Sequence, residues 1–65
     1  MSAFTTAITA TDTIETAYAK IRQAARAIDF GGYPVTMSAL RERVGAWVSD
    51  KVIIDACEIC GQTIA

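Results

Sequence analysis

Between Asp12 and Gly61 apolar residues recur at intervals of three and four, and glycines interrupt the recurrence twice. Ile14, Ala17, Ile21, Ala24 or Ala25, and Ile28 form a single stripe flanked by Tyr18, which predicts an amphipathic helix over 12–29. Asp12 followed by Glu15 has the spacing of a capping box with Asp in the Ser/Thr position, and both acids suit the positive end of a helix. The segment is rich in alanine and free of internal glycine and proline, so propensity agrees with pattern. Gly31-Gly32 then breaks the period, and Pro34 biases Tyr33 towards extended backbone.

A second helix is expected over 36–45. Thr36 is a good N-cap, with Val35 and Leu40 at the positions of a hydrophobic staple. Leu40 and Val44 would face the core, flanked by Ala39, leaving Arg41, Glu42 and Arg43 outside. Gly45 stops this helix where positive φ is needed. Trp47 falls in the following turn, where its large apolar area favours a role as lid over a small core. Left exposed, it would instead be an anchor for a partner. Ser49 caps a third helix over 49–61 that ends at Gly61.

The third helix differs from the first. Val52, Ile53, Ile54, Ala56, Cys57, Ile59 and Cys60 wrap most of its circumference and leave Lys51, Asp55 and Glu58 as one narrow polar stripe. Either it is central and covered by the other two helices, or one of its apolar faces serves another molecule. Residues 1–11 are uncharged and dense in threonine, which disfavours helix. They read as a loose arm anchored by Phe4 and Ile8, or as a short extended strand over 5–11. The whole chain is thus expected to be one all-α, compact three-helix domain over 1–65.

Size sharpens this picture, because 65 residues lie near the lower limit for a chain that folds alone. An apolar fraction of 52% with dispersed charges is that of a globular chain, not a disordered one. Six basic residues against seven acidic, with no histidine, give a formal charge of −1, an unfavourable balance for a protein whose main work is holding phosphates. No apolar run approaches the roughly 20 residues of a membrane span, and no signal-peptide pattern opens the chain, so the cytoplasm is the expected location. Cys57 and Cys60 are too few and too close for a secreted disulfide framework. Two ligands fall short of a structural zinc site, and a pair at a helix C-terminus lacks the dipole that activates a redox thiol; small buried thiols are expected, with no metal and no cofactor. Without histidine there is no base for Ser38, Ser49 or either cysteine, and no phosphate loop, so no enzyme is expected.

Pro34-Val35-Thr36, then Leu40-Arg41-Glu42-Arg43-Val44-Gly45, then Ser49 and Val52 resemble a helix-turn-helix, most closely the N-terminal DNA-binding domain of plasmid KfrA-type regulators. The likeness covers about half the chain. It implies a small DNA-binding regulator with the third helix in the major groove and Arg22, Arg26, Arg41, Arg43 and Lys51 on phosphates. The chain departs from that family where bases would be read, since Ser49-Asp50-Lys51 is followed on the outward stripe by Asp55 and Glu58. Arg22 and Arg26, one turn apart with Asp29 three beyond for a surface pair, make an ordinary solvated face unless Arg41, Arg43 or Lys51 join them in space.

In size and acidic character the chain also resembles phage-encoded inhibitors of bacterial defence such as anti-CRISPR proteins. That resemblance implies a non-enzymatic interaction module whose partner is a host nucleic-acid-handling protein with a basic surface, a CRISPR effector subunit among them. Asp50, Asp55, Glu58 and Trp47 would carry the contact. DNA is the alternative partner, a membrane is excluded, and a homodimer is an expected assembly.

Overall fold

The computed structural model describes residues 6–65 and contains three helices, α1 (Ile14–Phe30), α2 (Met37–Val44) and α3 (Asp50–Cys60), with no strand among the described residues. The fold is all-α. α1 is the longest element and packs against both shorter helices, most extensively against α3, while α2 and α3 touch each other least. The core lies between them. Ile21, Leu40, Val44, Ile53 and Cys57 are its largest fully buried side chains, joined by Ala24, Ala25 and Ala56, whose small size lets the helix backbones approach.

Local chemistry explains each boundary. The Thr36 and Ser49 hydroxyls accept from the backbone N–H groups of Ala39 and Val52, satisfying donors that a helix start leaves orphaned. Val35 and Leu40 are both buried, as a staple requires. At the start of α1 the cap is Thr13, not Asp12: the Thr13 hydroxyl accepts from Thr16 N–H at 3.1 Å. Asp12 is used one step earlier, where its Oδ2 accepts from Thr9 N–H at 2.9 Å and from the Lys20 ammonium at 2.6 Å.

α3 ends in a Schellman turn. Gly61 has φ of 76°, and Gln62 N–H donates to Cys57 O at 2.8 Å. The C-terminal tail then returns to the 31–36 connection, where Ala65 N–H donates to Val35 O at 2.8 Å and Ile64 packs against the core.

The N-terminal segment from Thr6 is docked by hydrogen bonds to α2. Ile8 N–H donates to Val44 O at 2.9 Å, the Thr6 hydroxyl donates to Arg43 O at 3.0 Å, and the Ile8 side chain is buried. These bonds satisfy carbonyls at the C-terminal end of α2. Of the two expected anchors Ile8 therefore serves, and Phe4 lies outside the described residues.

Candidate functional site

α3 presents its charged stripe to solvent as expected, but its apolar residues are not all covered. Ile53, Ala56 and Cys57 are buried and Val52 is half-buried, whereas Ile54 is 40% and Ile59 72% exposed. The two exposed isoleucines flank the stripe of Lys51, Asp55 and Glu58. Asp50, Asp55 and Glu58 fall within about 140° of the helix circumference and about 12 Å of its length. Their pairing differs. Asp50 is paired with Arg41, and Lys51 reaches Asp55 at 3.3 Å along the helix, while Glu58 has no ion-pair partner among the described residues.

Trp47 is 64% exposed, which corrects the expectation of a lid over the core. Its indole lies across Gly45, where a Cβ would stand 3.0 Å from Nε1, and the core position in this turn is taken by Val48 instead. With Ile14 and Val52 it lines a shallow groove of about 440 Å³ over Ile8 and Ala17, at the N-terminal ends of α1 and α3. Ile14 was expected on the buried stripe of α1 but is 55% exposed, because it sits at the first helical position on the rim of this groove.

The five cations expected to meet nucleic acid separate into two sets. Arg22, Arg26 and Arg43 line one open cleft of about 450 Å³ together with Thr6, Gln23 and Ala27. Arg41 is directed elsewhere, donating to Ala46 O at 2.9 Å beside its pair with Asp50, and Lys51 lies on α3. Arg26 and Asp29 do not form the expected surface pair.

Among the described residues two ionisable groups are shifted. Hydrogen bonding from the Lys20 ammonium, and next from Thr9 N–H, holds the Asp12 carboxyl below the ordinary carboxylate range. Burial, with a smaller contribution from Cys60, pushes the Cys57 thiol up, so it is a neutral core side chain at neutral pH. Cys60 is exposed rather than buried, and its thiol donates to Cys57 O at 3.4 Å. No group of three or more metal-ligating side chains exists among the described residues, and no described helix is long and apolar enough to cross a membrane.

The sequence left open whether an apolar face of α3 is uncovered without saying which, and two exposed aromatics, Phe30 (91%) and Tyr33 (70%), were passed over. A signal for Phe30 was present: it lies two residues past Ile28, off the apolar stripe. No family model matches the chain, and neither does any curated protein or solved structure.

Proposed function

We propose that this chain is a non-enzymatic protein-interaction module that docks through α3 onto a protein with a basic surface, in the manner of a phage or mobile-element inhibitor of a host nucleic-acid-handling protein. The observation that carries this reading is the outward side of α3, where Asp50, Asp55 and Glu58 share a face with the exposed Ile54 and Ile59. Exposed apolar side chains on both sides of a charged stripe offer a partner surface to bury beside the carboxylates that would orient it. Trp47, exposed at the same end of the helix as Asp50, adds a rigid aromatic anchor.

The ion pairs on this face do not oppose the reading. Solvent-exposed pairs such as Lys51–Asp55 contribute only about 0–1 kcal/mol, so the carboxylates can exchange their cations for a partner's at small cost. A helix-turn-helix regulator would need an excess of cations on the α3 side, whereas this side carries the carboxylates of Asp50, Asp55 and Glu58 against only Lys51 and Arg41. The geometry therefore favours protein over a DNA groove as the occupant of this face.

The test is charge reversal. With Asp50→Lys, Asp55→Lys and Glu58→Lys combined, affinity for the partner that the native chain captures from a nuclease-treated lysate of its source organism is expected to be abolished while far-UV circular dichroism still reports the native helix content. Unchanged affinity in a folded triple variant would remove the mechanism.

A further inference from the structure

The cleft between α1 and α2 spends three of the chain's six cations on one place, and none of the three guanidinium groups has an ion-pair partner among the described residues. Arg22 and Arg26 are one turn apart on α1, a spacing at which like charges destabilise a helix, and Arg43 joins them from α2. Asp29 lies three residues past Arg26 and Glu42 lines the groove next to Arg43, but neither forms an ion pair with these arginines. An arrangement that repels itself is relieved by an anion.

The cleft does not end at Arg43. That side chain also lines the neighbouring groove with Tyr33, Pro34 and Thr36, so the two depressions share a wall. The Tyr33 ring is set across Gly31, where a Cβ would stand 3.0 Å from Cδ2, and the residue is 70% exposed. On α1, Gln23, Arg26 and Phe30 are spaced by three and four and therefore lie on one face, with Phe30 exposed at the end of the helix. Arg22 and Arg26 on α1 are thus followed by the exposed rings of Phe30 and Tyr33, and Arg43 faces them from α2 across the cleft and groove.

We infer that the surface formed by Arg22, Arg26, Arg43, Phe30 and Tyr33 binds single-stranded nucleic acid without sequence preference, the arginines holding backbone phosphates and the two rings stacking bases. Guanidinium groups suit phosphate oxygens, and rings with an open face suit unstacked bases of any kind. Duplex DNA offers phosphates but no base faces, so it would use the arginines alone. The inference concerns α1 and α2, not the α3 face of the protein-binding reading, and stands or falls separately from it.

The experiment is fluorescence anisotropy of a labelled mixed-sequence single-stranded oligonucleotide titrated with the full chain over a range of salt. With three phosphates contacted, log K is expected to fall against log salt with a slope of about −2, and a dissociation constant of about 10⁻⁶ to 10⁻⁴ M is expected at physiological salt, tighter at low salt. Combined Arg22→Gln, Arg26→Gln and Arg43→Gln should abolish binding, while the matching lysine variant retains it. Phe30→Ala with Tyr33→Ala should weaken it at least about fivefold without changing the salt slope. Circular dichroism on each variant confirms that the fold is kept, and the exposure of all five side chains makes that the expected result. Absence of binding by the native chain at low salt, equal binding by the glutamine variant, or duplex bound as tightly as single strand would each overturn the assignment.

Discussion

Gly45 is the residue on which the turn between α2 and α3 depends, and Gly45→Ala measures that dependence. Its φ of 124° with ψ of 136° lies in a region that L-residues rarely adopt, and the added Cβ would stand 3.0 Å from Trp47 Nε1 and 3.1 Å from Cδ1. The two penalties are separable. Trp47 is exposed and its ring can swing away, so the steric part is small; the backbone part stays and costs about 1–3 kcal/mol. Against a stability of roughly 3–10 kcal/mol for a chain of this length, that is a large fraction. The melting temperature should fall by on the order of 10 °C, taking about 4–8 °C per kcal/mol for a small domain. Urea unfolding followed by far-UV circular dichroism reads the change as a lower midpoint at constant slope. The control is Trp47→Ala alone and combined with Gly45→Ala, which should recover less than about 0.5 kcal/mol if backbone dominates. A single Gly45→Ala variant within about 0.3 kcal/mol of the native chain would refute the assignment of strain to this glycine.

Further outcomes follow from the same structure. Asp12 has a lowered folded pKa, so its stabilising contribution is present above about pH 4 and is lost as pH falls through the depressed value; Asp12→Asn should flatten the dependence of the urea midpoint on pH in that acid range, and an unchanged profile would contradict the Lys20 and Thr9 contacts. With Cys57 buried and Cys60 exposed, a thiol reagent should modify one cysteine quickly and the other only at the rate of unfolding, and two equally fast thiols would place Cys57 wrongly. Ile53→Ala removes a fully buried side chain and should cost about 2–5 kcal/mol, whereas Ile59→Ala on the exposed side of α3 should stay within about 0.5 kcal/mol in the unfolding assay.

Much of the fold was legible because local chemistry and burial pattern agree. Thr36 and Ser49 cap where their hydroxyls allow, Gly45 and Gly61 sit at positive φ, and Ala17, Ile21, Ala24, Ala25 and Ile28 form the buried stripe. The misplacements have physical causes. Asp12 and Thr13 are both good N-caps, and the choice was made by Lys20 eight residues on, which holds the Asp12 carboxylate away from the helix end. Trp47 reads as a lid over the core from its size and Ile14 as part of the buried stripe from its spacing, but three short helices leave too little interior for every large side chain, and Val48 and Ile8 are buried instead. Whether Arg22, Arg26 and Arg43 meet depends on how α2 lies against α1, which no spacing along the chain encodes; nor does spacing reveal that Asp50 withdraws Arg41 from that group. The third helix posed a real ambiguity between a central element and one with a face for another molecule. Ile54 and Ile59 are exposed, so the other two helices cover α3 on one side only.

The most direct test of the α3-docking account is hydroxyl-radical footprinting of the chain alone and in complex with the partner it captures from a nuclease-treated lysate of its source organism. Side chains covered by a partner lose oxidation, and the exposed residues divide between the two surfaces. The account predicts protection of Trp47, Ile54 and Ile59, with Phe30 and Tyr33 oxidised as before. Protection of Phe30 and Tyr33, with Trp47, Ile54 and Ile59 unchanged, would contradict it.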